Sequence, residues 1–262
     1  MLEPPLLYAI LLSLAACTGS VATEDPGHAT PPAALELQRP DVQEIERAAA
    51  PMCPKPTIIQ TPITWNSERE TLTRAYRSAH QAPAPNSAPT TVQIAPKVVV
   101  LHWTAGSSFS GAFNTFDAVR LVGRPKLAGA GALNVSAHFL VDRDGSIHQL
   151  LPVTTMARHV IGLNHVAVGV ENVGGAKGFP LTEAQVLANA DLVCWLSSQH
   201  PIELLIGHHE YRELEGTPYF DEVDPSYRTV KVDPGDAFMA RVQAELERAG
   251  VGDLRPPDSP GP

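Results

Sequence analysis

The amino-acid sequence predicts an α/β fold, in which helices pack on the faces of a β-sheet. Between residues 97 and 250, short apolar and β-branched runs alternate with longer segments of helical periodicity. Asp144-Gly145 separates two of these runs, which is typical of a β-hairpin turn. Thr182 and Gln185 form a capping box that opens the longest helical segment. These three observations favour one sheet-based domain over residues 97–250.

Five strands are expected, in chain order. The first candidate, Lys97–Thr104, contains four consecutive apolar residues of the kind buried in a central sheet. The hairpin turn predicts one strand before Asp142–Gly145 and one strand after it. Bounded by polar or glycine-containing segments, the remaining candidates are Val135–Val141, Ser146–Leu151, Val166–Glu171 and Leu204–Ile206.

The helices are predicted from apolar stripes. Thr182–His200 carries apolar residues at helical spacing, and a last helix begins at about Asp236 with Phe238, Val242 and Leu246 on one stripe. Ser67–Ser78 and a short segment near Val42–Ala50 are further candidates.

Proline marks the boundaries of the predicted domain. The chain has 262 residues and 25 prolines, of which seven lie between Lys97 and Arg255 and twelve between Val21 and Pro96. Proline-rich polar segments favour extended chain over a packed core. We therefore interpret 17–56 as a flexible tether, 57–96 as a proline-rich arm preceding the body, 97–250 as the catalytic body and 251–262 as a disordered tail.

The first residues are typical of an export signal. Leu6–Ala16 is an apolar run too short to span a membrane. It leads into Leu14-Ala15-Ala16-Cys17, which resembles the bacterial lipobox, so residues 1–16 are predicted to be a signal peptide and Cys17 the lipidated residue. Thr18 after the cysteine predicts anchoring to the outer membrane, facing the periplasm. An ordinary secretory signal is the alternative, because Glu3 and no Lys or Arg precedes the apolar run.

Composition excludes several classes of protein. Lys and Arg total 19 against 28 Asp and Glu, a net charge of -9 that argues against a nucleic-acid partner. Three cysteines cannot form a disulfide framework or a multi-cysteine zinc ribbon. The chain also lacks the Gly-x-Ser-x-Gly motif of serine hydrolases and the His-Glu-x-x-His motif of zinc proteases.

Candidate metal ligands follow the ends of predicted strands. His102 and His208 each come directly after an apolar run, and Asp233 precedes the last helix. Two imidazoles and one carboxylate, with a fourth position for water, are a ligand set of catalytic zinc sites. The spacing alone is weak support, since a single strand-end histidine is more often a satisfied core or surface group.

Five segments, in order, resemble those of one family, the type 2 N-acetylmuramoyl-L-alanine amidases, which are zinc amidases related to peptidoglycan recognition proteins. The segments are His102–Gly106, Ser136–Phe139 with Asp142–Gly145, Gly169–Glu171, Gly207-His208 and Lys231–Gly235. The resemblance covers about Val98 to Leu246. It implies a central mixed β-sheet flanked by helices, and hydrolysis of the amide between N-acetylmuramic acid and L-alanine in peptidoglycan or muropeptides. A peptidoglycan-binding protein without catalysis is the alternative.

The resemblance also implies roles for particular residues. His102, His208 and Asp233 are the expected ligands of Zn²⁺, Glu171 the carboxylate that handles the proton of the attacking water, and Lys231 the cation beside the substrate carbonyl. His138 and His159 are expected to contact substrate, although a structural role for His138 is an equal alternative and Arg158 replaces the family's usual tryptophan before His159.

Competing assignments remain open. His209 is adjacent to His208, but consecutive strand residues point to opposite faces, which favours a single ligand. Asp224-Pro225 imitates Asp233-Pro234, and Glu171 could instead be a salt-bridged carboxylate. The gap between His208 and Asp233 is 25 residues where the family often has about ten, so 209–230 is an enlarged loop expected to wall the groove or alter specificity.

The two remaining cysteines, Cys53 and Cys194, could pair in an oxidising compartment. Because Cys194 lies on the apolar face of a predicted helix, we expect a buried free thiol instead. Oligomeric state, stem-peptide specificity and the preference for intact sacculi or anhydro-muropeptides stay open.

Overall fold

The computed structural model describes residues 53–82, 91–124, 127 and 129–255. In chain order these residues form β1 (Ile58–Gln60), α1 (Ser67–His80), β2 (Val98–Trp103), α2 (Phe109–Asp117), β3 (Phe139–Val141), β4 (Ile147–Gln149), β5 (Ala167–Asn172), α3 (Glu183–Gln199), β6 (Leu204–Gly207), a 3-10 helix (His208–Leu214) and α4 (Asp236–Arg248).

The strands form a mixed six-stranded sheet in the order β1-β4-β3-β5-β2-β6. β3 and β4 pair antiparallel across the predicted Asp-Gly turn, whereas the other neighbouring pairs run parallel. Parallel strands need crossover connections, and the long helix α3 supplies the one between β5 and β6. The predicted α/β fold with a mixed sheet and flanking helices is confirmed.

Alternation along β2 assigns the two faces of the sheet. Val99 and Leu101 belong to the core that packs against α3 and α4. Val98 and Val100 point to the opposite face, where the segment around Leu163 and the 3-10 helix cover them. His102 continues this second series, so the sheet directs it away from α3 and α4.

The helix α3 begins as its sequence indicates. The Thr182 side chain accepts a hydrogen bond from the Gln185 backbone N–H, and the Gln185 side chain accepts one from the Thr182 N–H, which completes the capping box. Gln185 and Asn189 are buried and bond to strand ends and to Asn172, so this helix is also fastened to the sheet by polar contacts.

The segment 57–96, which we expected as an arm preceding the body, lies partly within the body. Ile58–Gln60 pairs with β4 as an edge strand, and α1 extends over Ser67–His80, two residues beyond the predicted helix. Arg69 is buried and donates hydrogen bonds to the carbonyls of Phe116, Asp117 and Ala118 at the end of α2. Burial of a guanidinium against a helix C-terminus explains why a polar helix packs here.

Cys53 and Cys194 form a disulfide, which corrects the expectation of a free thiol at Cys194. Their Cα atoms lie 5.1 Å apart, although 141 residues separate them in sequence. Both cysteines also belong to the apolar core beneath α3. The bridge therefore ties the N-terminal edge of the body to its longest helix.

The predicted tail also begins inside the body. Leu254 is buried, and its carbonyl accepts a hydrogen bond of 2.7 Å from the Leu205 N–H of β6. The rest of the tail, the signal peptide at 1–16, lipidation at Cys17, the tether up to Met52 and the helix near Val42–Ala50 lie outside the described residues. Among the residues that the structure describes, no helix is long and apolar enough to cross a membrane.

Candidate metal centre and active site

Two neighbouring strands bring a histidine and a carboxylate side by side. In the parallel pair of β2 and β5, His102 is in register with Glu171. Paired residues of adjacent strands share a face, so both side chains project from the second face of the sheet. The Asn172 side chain donates a hydrogen bond of 3.0 Å to the His102 carbonyl and fixes the end of β2.

The next strand delivers His208. β6 ends at Gly207, and His208 begins the 3-10 helix. A helical turn therefore directs His208, and not His209, towards the cluster. The alternation of strand residues that we expected does not apply here, because both histidines lie in the 3-10 helix. His209 points elsewhere: its Nδ1 lies 3.0 Å from the Asp233 carbonyl oxygen and its Nε2 lies 2.8 Å from Asp236 Oδ1.

Asp233 completes the cluster from the segment before α4. The His209 backbone N–H donates a hydrogen bond of 2.9 Å to the Asp233 carbonyl. Asp233 Oδ2 lies 3.0 Å from His208 Nδ1 and 3.4 Å from His102 Nδ1, and the two Nδ1 atoms are 2.8 Å apart. All three residues are at most 9% exposed.

The cluster fits a tetrahedral zinc ion. Ligand atoms bonded to zinc at about 2.0–2.1 Å in a tetrahedron lie about 3.3 Å from one another, close to the three separations observed. Within the described part of the chain, His102, His208 and Asp233 are the group identified as able to hold a metal ion.

The protonation states of two of these residues suit metal binding. Burial and the neighbouring His102 lower the pKa of His208 to about 3, so its imidazole is neutral near pH 7. Burial acts to raise the pKa of Asp233, but hydrogen bonding to His102 and His208 outweighs it and holds the pKa well below the usual range. A neutral imidazole and an ionised carboxylate are the forms that ligate metals.

Glu171 lines the same cavity as the three ligands, which has a volume of about 300 Å³. Its Oε2 is buried and has no hydrogen-bond partner in the protein. Burial, and then the negative charge of Asp233, raise the pKa of Glu171 well above its usual value, whereas Arg124 and Lys231 act in the opposite direction. The predicted alternative of a salt-bridged strand-end carboxylate does not match a buried oxygen without a partner.

Lys231 lines the cavity, as a residue two positions from Asp233 on an extended segment should. The intervening valine, Val232, is 67% exposed, which shows the alternation directly. Asp224 does not join the cluster. Its Oδ1 accepts hydrogen bonds from the N–H and hydroxyl of Ser226 in a local turn.

The two remaining predicted residues occupy different positions. His138 is fully buried, its Nδ1 accepts a 2.9 Å bond from the Gly169 N–H, and its Nε2 lies 2.8 Å from the Thr155 carbonyl. We therefore reassign His138 from substrate contact to support of the sheet. His159 lines the cavity, but its Nδ1 lies 3.0 Å from His102 Nε2. Burial, and then the nearby His102 and His138, lower the pKa of His159 well below its usual value, so this ring is neutral.

The enlarged segment 209–230 forms part of the cavity wall through Tyr227 and Thr229. Arg158 holds this wall in place: its guanidinium donates to the Tyr227 hydroxyl at 3.1 Å and to the carbonyls of Leu127, Gly131 and Leu133. Arg158 also lies over the Tyr76 ring of α1, 4.6 Å from its centroid. The arginine thus joins α1, residues 127–133 and the enlarged segment.

Sequence reasoning missed Trp103, Arg124 and Tyr227 as cavity residues. Trp103 directly follows a predicted ligand, so its position was a usable signal. Arg124 and Tyr227 come from irregular segments whose path no periodic pattern predicts.

Comparisons with known proteins identify the family of this chain. The Amidase_2 family, described as N-acetylmuramoyl-L-alanine amidase, matches residues 92–236, more than half of the chain. An endolysin of Klebsiella phage KP32 is 36% identical over 96 residues, which are 35% of this chain and 63% of the relative. An endolysin of Enterobacteria phage K11 is 33% identical over 96 residues with the same coverage. The chain thus spans less than two thirds of the length of these curated relatives.

Solved structures are similar at lower identity. An N-acetylmuramoyl-L-alanine amidase from Clostridium intestinale is 18% identical with a TM-score of 0.45, covering 73% of this chain and 98% of that one. A human peptidoglycan recognition protein in complex with glycosamyl muramyl pentapeptide is 18% identical with a TM-score of 0.38, covering 63% and 99%.

Proposed function

This chain belongs to the Amidase_2 family, and from that premise we propose that it is a zinc-dependent hydrolase that cleaves the amide between N-acetylmuramic acid and L-alanine in peptidoglycan or its fragments. The observation that carries the proposal is the convergence of two imidazoles and one carboxylate beside a buried carboxylate with an unpartnered oxygen.

His102, His208 and Asp233 are the residues that hold the metal in this proposal. A bound Zn²⁺ supplies a Lewis acid that polarises the scissile carbonyl and makes water acidic enough to yield hydroxide near pH 7. Three protein ligands are the number found at catalytic zinc sites, whereas structural zinc is usually closed by four.

Glu171 is the proton-transfer residue. Its Oε2 accepts the proton of the attacking water and returns it to the nitrogen of the leaving L-alanine, since the same carboxyl must act as base and then as acid. The raised pKa makes the Glu171 carboxylate a stronger base towards the attacking water than an exposed glutamate. The Oε2 atom also has no protein hydrogen bond to break first.

Lys231 neutralises negative charge that develops on the carbonyl oxygen. It lines the cavity with Glu171 and belongs to the same extended segment as Asp233. A preorganised cation in a largely buried site stabilises an oxyanion more strongly than it would in water.

The activity is tested by incubating purified protein with peptidoglycan and measuring release of stem peptides before and after chelation. We expect release that stops with the chelator and returns with Zn²⁺. Release that persists after complete zinc removal contradicts the mechanism. Binding to the wall without any release identifies a non-catalytic recognition protein instead.

We further propose that the protein is exported and anchored by lipid at Cys17, at a bacterial outer membrane facing the periplasm. The lipobox-like Leu14–Cys17 segment supports anchoring. The Cys53–Cys194 disulfide supports an oxidising compartment. Mass spectrometry of the membrane-extracted protein should find an acylated N-terminal cysteine, and Cys17→Ala should move the protein to the soluble fraction. If the protein is found in the soluble fraction with Cys17 unmodified, the proposed lipid anchor is wrong.

A further inference from the structure

A line of three ring nitrogens leads away from the candidate metal centre. The side of His102 opposite the cluster faces His159, with His102 Nε2 and His159 Nδ1 3.0 Å apart. On its far side, His159 Nε2 lies 3.2 Å from the Ala167 carbonyl oxygen at the start of β5. The two rings meet nearly at right angles, with an interplanar angle of 84°.

Hydrogen-bond chemistry determines where the protons sit along this line. A carbonyl oxygen only accepts, so His159 Nε2 carries the hydrogen. His102 can present a lone pair on Nδ1 to a metal ion only with its hydrogen on Nε2, and His159 Nδ1, 3.0 Å away, is the acceptor placed for that N–H. His102 is left with its lone pair on Nδ1, the atom that faces His208 and Asp233.

The fold places His159 at this point by specific means. The Asn164 side chain accepts hydrogen bonds from the backbone N–H groups of His159 and Val160, at 2.9 and 3.0 Å. The ring lies over Gly169 of β5, where a Cβ atom would come within 2.6 Å of it. A side chain at Gly169 would therefore push His159 off His102.

We propose that His159 is a positioning residue: it fixes the tautomer and orientation of His102 so that Nδ1 is presented to the metal. The inference rests on the metal site of the proposed function and replaces the expectation that His159 acts by contacting substrate. Partners that orient metal-binding histidines from behind typically change metal affinity by 10–100-fold when removed.

The experiment compares two variants. His159→Leu removes the acceptor, whereas His159→Asn keeps an oxygen close to the position of Nδ1. Zinc affinity is measured by competition with a chromogenic chelator at pH 7.5, on proteins whose far-ultraviolet circular dichroism and thermal unfolding show that they are folded. We expect binding weakened by about 10–100-fold in His159→Leu and largely restored in His159→Asn.

His80→Ala is the control for loss of a buried imidazole, because His80 bonds to Glu222 and to the Ala130 carbonyl, away from His102 and His159. It should lower stability without a comparable loss of zinc affinity. Equal zinc affinity in wild type and His159→Leu overturns the proposal. If KM rises while zinc affinity stays constant, His159 is a substrate-contacting residue.

Nitrogen-15 NMR of the imidazoles gives a second readout, in metal-free protein. The wild type should show His102 and His159 both protonated on Nε2, and His159→Leu should shift His102 towards a mixture of tautomers. Protonation of His102 on Nδ1 in the wild type also overturns the proposal. Neither measurement depends on amide hydrolysis, so a protein that binds zinc but cleaves nothing would contradict the proposed function and leave this inference standing.

Discussion

Glu171 shows which properties of a site residue follow from nearby sequence and which depend on the fold. Its register with His102 follows from the pairing of two strands that are each recognisable in sequence. The raised pKa of Glu171 does not follow from strand pairing, because it depends on burial and on the charge of Asp233, which lies 62 positions away in sequence. Sequence could name this residue through family resemblance, but only the fold explains its raised pKa.

Replacement of Glu171 by Gln tests its assignment as the proton-transfer residue. The amide keeps the shape of the side chain but cannot accept the proton of the attacking water. We expect kcat to fall by about 10²–10⁴-fold, with zinc content and thermal stability unchanged. Steady-state kinetics and elemental analysis check this, and a Gln variant with wild-type kcat would rule out the assignment.

Asp233 and Asp224 form a natural matched pair, since each precedes a proline. Asp233→Asn removes a metal ligand and should reduce bound zinc from about one per chain to near zero. Asp224→Asn alters only a turn with Ser226 and should retain zinc. Elemental analysis of both proteins distinguishes them, and equal zinc content would contradict the ligand assignment.

Secondary-structure elements differ in how far sequence predicts them. α3 opens with a capping box and is apolar along most of its length, so the sequence predicts it within one residue at each end. β1 has three residues and only edge pairing, which leaves no periodic pattern to detect. The packing of α1 was missed because its buried face includes the polar residues Arg69, Thr73 and His80. The partners of Arg69 and His80 lie far along the chain, so no local pattern indicates that these side chains are buried.

One such contact joins α1 to the enlarged segment 209–230. His80 Nδ1 lies 3.0 and 3.1 Å from the two Glu222 carboxylate oxygens, and its Nε2 lies 2.9 Å from the Ala130 carbonyl. Burial acts to lower the pKa of His80, but these hydrogen bonds outweigh it and raise the pKa. Two acceptors require both ring nitrogens to be protonated, so the pair is ionic. Arg158, Tyr76 and Tyr227 are its other close polar neighbours.

This pair predicts a pH-dependent contribution to stability. Because the folded-state pKa lies above the unfolded value of about 6.5, the contribution is complete below that pH and is lost as pH rises through the folded-state pKa. His80→Gln should therefore lose more stability at pH 6 than at pH 9. Urea unfolding of wild type, His80→Gln and Glu222→Gln at both pH values checks this, and a pH-independent difference would contradict it.

The disulfide that links the N-terminal edge of the body to α3 is expected to stabilise the fold. Closing a loop of this length restricts the unfolded chain, so its reduction should lower the free energy of unfolding by roughly 2–5 kcal/mol. Urea unfolding with and without dithiothreitol measures the change. The Cys53→Ser/Cys194→Ser double variant should show no response to reductant, and a wild type equally insensitive would indicate that the bridge does not form.

At the scale of the whole molecule, composition locates the body but misplaces its edges. Low proline content identified 97–250, yet the sheet takes its edge strand from residues 58–60 and β6 bonds to Leu254. Proline-rich chain can still supply edge strands and surface segments, because only a central strand needs every backbone N–H. The family resemblance, by contrast, named His102, His208 and Asp233 together, and the structure brings them into one cluster: His102 lies near the end of β2, His208 directly after β6 and Asp233 shortly before α4.

We propose that this protein cleaves the bond between N-acetylmuramic acid and L-alanine. The most direct measurement is mass spectrometry of defined muropeptides digested with the zinc-loaded protein. We expect two products, an intact N-acetylmuramic acid glycan fragment and a free stem peptide that begins with L-alanine. Cleavage within the peptide or between the sugars, or no cleavage by zinc-loaded and folded protein, would contradict it.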